Sequence, residues 1–274
     1  MQRWISSQKT IPAARAAVNR VIIAGMNARD ESSVPAPRSG EFQTTRWSLV
    51  ISAGQTGDPD AQQALASLCE SYWLPLYSYA RRRVNHLDDA QEMTQAFFSE
   101  LLEKNVIATA TPERGRFRSY LLTAFKHFLS KQWEKAKAQK RGGGKQPLSL
   151  DFDSADSTFQ IESESQRTAD QIYDQQWAIT LLGKVMQRLE SDCQQSGKAE
   201  QFTHLKPFMI GDHPGITYQQ VAQKLGLSEA AAKTAASRLR KQFGQLLRDE
   251  ISQTVTDLNE IEDEIRSLFS VLSK

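Results

Sequence analysis

Cysteine is scarce in this chain, with only Cys69 and Cys193 among 274 residues. Two cysteines do not build a disulfide scaffold, and their scarcity fits a reducing, cytoplasmic interior. Long apolar runs are missing too, so no bilayer span and no membrane partner are expected. The histidines and cysteines lack zinc-ligand spacing. "RGGGK" (141–145) has neither the Walker spacing nor a preceding strand, so it reads as a flexible stop. Asp88, Asp89, Glu92 and Glu100 could be imagined as a metal-assisted nuclease site. Asp88 and Asp89 fall at a predicted helix start, however, and no His, Lys or Ser is placed for acid–base work. The expectation is a protein without catalytic residues, metal, cofactor or small-molecule substrate: not an enzyme.

What is present is length, polarity and segregated charge. The chain is long enough for two modest domains or one large one, and its mean hydropathy of −0.52 marks strongly polar surfaces. A formal charge of +2 conceals blocks: 114–145 basic, 151–170 acidic, 233–248 basic again. Such blocks point to a polyanionic partner more clearly than the net figure does. Before the first acid come Arg3, Lys9, Arg15, Arg20 and Arg29. That segment is too short in apolar residues for a secretory signal, and reads as a disordered extension or an early start, with Met26 an equally good initiator.

From Asp60 the apolar spacing is helical almost throughout. Ala64, Leu68, Trp73, Leu76, Tyr77 and Ala80 suggest one helix or two, with a kink or break expected at Pro75. Asp88 and Asp89 open another, their charge favouring the positive end of the helix dipole. Pro112 and Gly115 interrupt the chain before a basic helix that ends at Gly142-Gly143-Gly144. The acidic, Ser-rich stretch that follows reads as a flexible linker. Helical spacing resumes near Asp170, and no alternating strand or hairpin signal occurs anywhere. The expected fold class is all-α: two small helical domains joined by an acidic linker.

The most specific local signal is "GITYQQVAQKLGLSEAAAKTAASRLRKQFGQLL" (215–247). Thr217 followed by Gln220 has the form of a capping box. Gly226 makes a turn, Leu227 is expected to plug the angle, and Ser228 is a good N-cap for a second helix. At 100° per residue that helix places Ala232, Ala235, Ala236, Leu239, Phe243 and Leu246 on one face. Ala230, Lys233, Thr234, Ser237, Lys241 and Arg248 lie opposite, with Arg240 at the edge and no acid in the stripe. A small, polar, basic face suits entry into the major groove, its start reading bases while Arg238, Arg240 and Lys241 hold phosphates.

The basic helix divides similarly. Phe117, Leu121, Ala124, Phe125 and Phe128 share a core face, whereas Ser119, Lys126, Ser130, Trp133 and Lys137 form the opposite stripe. A tryptophan among lysines either covers a base in a cation-rich groove or packs on the following chain.

Taken together, "LCESYWLPLYSYARRRVNHLDDAQEMTQAFFSELLEKN", "RGRFRSYLLTAFKHFLSKQWEKAKAQKR" and "TYQQVAQKLGLSEAAAKTAASRLRKQF" resemble the second and fourth domains of bacterial RNA polymerase sigma factors. With no third domain between them, the order is similar to the extracytoplasmic-function type, in a sub-group with a short C-terminal extension. The resemblance implies an extension over 1–42, a second-domain-like body over 43–141, a linker over 142–169, a fourth-domain-like body over 170–250 and a terminal amphipathic helix over 251–274. It implies polymerase contacts at Asp88, Asp89, Gln91, Glu92 and Gln95. It implies reading and opening of a −10 element by Arg118, Lys126, His127, Ser130, Lys131, Trp133, Lys135 and Lys137, with Lys126-His127 standing where the family usually has Arg-Asn, and Ser130 where it often has Asp. The −35 element would be read by Ser228, Ala230, Lys233, Thr234, Ser237, Arg238, Arg240 and Lys241, with "AAAK" where Gly-Thr-Val-Lys is usual.

The expected partners are core RNA polymerase and promoter DNA, with an anti-sigma factor as a further candidate on the apolar stripe of Leu258, Ile261, Ile265, Leu268, Phe269 and Leu272. Most such stripes pack on their own domain, and a partner surface or an intramolecular brake is the lesser alternative. The rival reading is a stand-alone helix-turn-helix regulator, which leaves the basic aromatic helix unexplained.

Overall fold

The computed structural model describes residues 69–84, 87–103, 116–138, 167–209, 215–255 and 257–273. The N-terminal extension, Ala64, Leu68, Pro112, Gly115, the triple glycine and the acidic stretch through Gln166 lie outside the described residues. Every regular element described is helical, as the sequence predicts: eight α-helices and one 3₁₀ turn. The described residues form two compact units, the first drawn from 43–180 and 251–264, the second from 181–250 and 265–274.

In the first unit, α1 (Trp73–Arg83) and α2 (Leu87–Glu103) lead to α3 (Phe117–Ala138) and the opening turns of α4 (Ala169–Gln195). The helical residues 69–70 give way to a turn at 71–72 and α1 starts anew beyond it, so the helix breaks just ahead of Pro75. Pro75 itself sits in the first turn, where its missing N–H has no helical carbonyl to lose. Asp88 and Asp89 occupy the first turn of α2, where the dipole favours their charge. The core is aromatic: Phe97 meets Phe125 edge-on at 4.9 Å and Phe128 at 5.5 Å, and Tyr72 meets Phe117 at 5.0 Å. Phe117, Leu121, Phe125 and Phe128 are buried as the spacing on α3 predicts. Burial of each such side chain is worth about 1.5–3 kcal/mol.

Helix α4 starts on a second capping box. Thr168 accepts from the Gln171 amide at 3.3 Å and the Gln171 side chain accepts from the Thr168 amide at 2.9 Å. The Phe117 amide donates to the Thr254 carbonyl at 2.9 Å, so residues beyond 250 complete the unit to which α3 belongs.

The second unit comprises the rest of α4, α5 (Ala199–Met209), α6 (Tyr218–Lys224), most of α7 (Glu229–Ser252) and the greater part of α8 (Ile261–Leu272). Gly197 ends α4 at φ +69°, with the Lys198 amide reaching the Cys193 carbonyl at 2.7 Å; this left-handed closure is one that glycine adopts without steric cost. Ala232, Ala236, Leu239, Phe243 and Leu246 of α7 are buried, matching the predicted apolar face. Glu250 is held by Lys184 at 2.9 Å and Arg188 at 3.5 Å. In the C-terminal stripe, Ile265, Leu268, Phe269 and Leu272 are buried, while Leu258, in the 3₁₀ turn ahead of α8, remains exposed.

Candidate nucleic-acid interface

Helices α6 and α7 form the helix-turn-helix that the capping signals predict. Thr217 accepts from the Gln220 amide at 3.2 Å, and Gln220 reciprocates on the Thr217 amide at 3.0 Å. The turn closes at Gly226 (φ +64°), with the Leu227 amide on the Ala222 carbonyl at 2.8 Å. Ser228 then caps α7 by accepting from the Ala231 amide at 3.2 Å. Leu227 does not plug the angle between the helices. Its amide closes the turn, and its side chain is left exposed at the corner.

The outer face of α7 is open to solvent. Ser228, Ala230, Lys233, Thr234, Ser237, Arg238 and Lys241 are all exposed. Lys233 pairs with Glu229 one turn back at 2.7 Å, which raises its pKa. Thr234 donates to the Ala230 carbonyl at 3.0 Å, leaving its methyl and lone pairs outward. Arg240 is different. Its guanidinium turns inward, donating to the Phe208 carbonyl at 3.0 Å and to the Tyr218 hydroxyl at 3.0 Å. Tyr218 in turn stacks on Phe208 with ring centroids 4.0 Å apart. Arg240 thus ties α7 to α5 and α6 rather than joining the exposed stripe.

In the first unit the outer edge of α3 presents His127, Ser130 and Lys131 to solvent, with Lys126 and Trp133 half-buried. The side chains of Lys135 and Lys137 lie outside the described residues. Lys126 Nζ sits 2.9 Å from one Asp170 oxygen and 3.0 Å from the other. Arg83 lies over the Trp133 ring, 5.6 Å from its centroid. Trp133, Lys126 and Ser130 line one side of a recess of about 320 Å³ whose other side includes Thr168 and Asp170.

Arg118 is separate from that edge. It is buried at 7% exposure, with Asp174 at 2.6 Å and Glu264 at 2.9 Å, and its guanidinium lies over the Trp177 ring at 4.2 Å. Glu264 also holds Arg116, at 2.8 Å. Burial alone would lower the Arg118 pKa, but the Glu264 and Asp174 carboxylates outweigh it and raise it. Burial pushes the Asp174 carboxyl above its usual range against the pull of Arg118. It does the same to the hydroxyl of Tyr173, which donates to the Arg118 carbonyl at 3.0 Å.

On α2, Asp88, Asp89 and Glu92 are exposed and Gln91 and Gln95 half-exposed, opposite the buried Ala90, Thr94, Phe97 and Phe98. Asp88, Gln91, Glu92 and Gln95 follow helical spacing along one stripe, an acidic and amide-rich surface suited to a basic or polar protein face. Among the described residues no three of His, Cys, Asp and Glu cluster as metal ligands, and no helix is long and apolar enough to cross a membrane.

The family model described as "ECF sigma factor" matches residues 45–249. No curated protein and no solved structure matches the chain.

Proposed function

The chain belongs to the ECF sigma factor family and acts in transcription initiation as a non-enzymatic partner of core RNA polymerase and promoter DNA; from that premise we propose how it reads a promoter. α7 enters the major groove at the −35 element. Lys233, Thr234 and Ser237 face base edges there, and Arg238 and Lys241 hold the flanking phosphates. The outer edge of α3, with Lys126, Ser130, Lys131 and Trp133, meets the −10 element as its strands separate, and Trp133 offers a stacking surface. The stripe of Asp88, Gln91, Glu92 and Gln95 on α2 docks on the polymerase. The enzyme supplies catalysis, and this chain supplies promoter choice.

The observation that carries this reading is the exposed, acid-free face of α7 between Ala230 and Lys241, set on a double-capped turn. Purified core polymerase and the full chain should start transcription from a discrete set of genomic fragments. Each of Lys233→Ala and Arg238→Ala should weaken binding to those fragments, by about 1–3 kcal/mol where a base contact is lost. Absence of a polymerase complex, or initiation indifferent to the fragment supplied, overturns the reading. Tight fragment binding without polymerase favours the stand-alone regulator.

A further inference from the structure

One cation on the edge of α3 assigned to the opened promoter strand, Lys126, is already engaged within this chain. Thr168, Ala169 and Asp170, the first residues of the α4 cap and turn, line one recess together with Lys126, Ser130, Trp133 and Tyr79. Asp170 sets both carboxylate oxygens on Lys126 Nζ, at 2.9 and 3.0 Å, the approach a phosphate makes to a lysine. The segment is pinned on arrival, because Arg82 Nε donates to the Arg167 carbonyl at 3.2 Å. The Thr168–Gln171 box then fixes the direction in which α4 leaves.

Two ion pairs on α3 differ in kind. Glu264, beside Arg118, is 1% exposed at its side chain, whereas Asp170 is 55% and Lys126 40% exposed. A buried pair resists removal of either member, while an exposed one contributes little and yields to competing charge. The first is suited to holding the unit together and the second to being displaced.

We propose that Asp170 is an internal surrogate for a promoter phosphate: the free chain closes its −10 edge by seating Asp170 on Lys126 beside Trp133, and single-stranded promoter DNA opens it by taking over the lysine. This rests on the reading of the α3 edge as the strand-binding surface. The opposing acid comes from the chain itself, at the point where α4 begins, so Lys126 is engaged without any second protein.

The test uses the full-length chain and a short, labelled single-stranded DNA of mixed sequence, with and without core polymerase. Asp170→Asn should bind about twofold to fivefold more tightly than wild type, the range an exposed ion pair represents. Glu200→Gln, a neutralisation at an exposed site on α5, should leave affinity unchanged. The gain should vanish when Asp170→Asn is placed on Lys126→Gln. Asp170→Ser, which keeps a good helix-start residue, serves as a second variant, and circular dichroism checks that each retains its helix. Equal binding by wild type and both Asp170 variants, all of them active with polymerase, overturns the latch and leaves the promoter-reading function standing. A gain that persists on Lys126→Gln also overturns it, as a mere charge effect. If no variant binds the strand or supports initiation, the strand-binding reading itself has failed, and the latch with it.

Discussion

Arg118 and Glu264 lie 146 residues apart in the chain and meet in the interior of the first unit, where Glu264 Oε2 accepts from Arg118 Nη2 at 3.1 Å. Removing one member leaves a buried charge short of its partner. Glu264→Ala should therefore lower the unfolding free energy by about 3–5 kcal/mol in urea titrations. Replacing both, as Arg118→Met with Glu264→Leu, should cost less than the single change. A near-neutral Glu264→Ala would show that Asp174 suffices for Arg118.

The helix-turn-helix rests on local devices with known worth. Thr217→Ala removes one capping hydrogen bond and should cost about 0.5–2 kcal/mol. Gly226→Ala meets no atom within 4 Å, yet it forces an alanine into the left-handed region at about 1–2 kcal/mol. Hydrogen exchange should report faster opening of α6 and the start of α7 in both variants.

Arg238, Arg240 and Lys241 carry the same charge but have different surroundings. Arg238→Ala and Lys241→Ala should each reduce the slope of log affinity against log salt by about 1 on promoter DNA. Arg240→Met should leave that slope unchanged and lower thermal stability instead, because its guanidinium is spent on Phe208 and Tyr218. A slope change with Arg240→Met would place that side chain on DNA.

These differences show where sequence reading succeeds. Thr217, Gln220, Gly226 and Ser228 act within a few residues of one another, so spacing alone foretells the turn. The same signature stands at Thr168 and Gln171, where the acidic run before it suggests a linker instead. Arg118 could have been placed from its helix as well: it stands seven residues before Phe125, on the buried face. Its partner could not, since nothing local to Glu264 refers to a residue 146 positions earlier. Leu227 is apolar yet exposed, because its amide, not its side chain, closes the turn.

Both thiols are buried, and burial raises the pKa of each, with Glu70 adding to the effect at Cys69 and Lys198 opposing it at Cys193. The reactive thiolate is thereby suppressed in the folded chain. Labelling with a thiol reagent at mildly alkaline pH should be slow for the native protein and fast in denaturant. Rapid native labelling at Cys69 would mean that the N-terminal end of the first unit opens readily.

The backbone bond from Phe117 to Thr254 has a consequence for the order of events during synthesis. A growing chain emerges from its N-terminus and folds domain by domain as it does so. Here α1, α2 and α3 are made early but wait for residues 251–264 to receive their last partners. The helix-turn-helix, complete in its own local contacts, is translated before those residues. The unit begun first therefore cannot close until nearly the whole chain has been made, and closing so long a loop makes that step intrinsically slow.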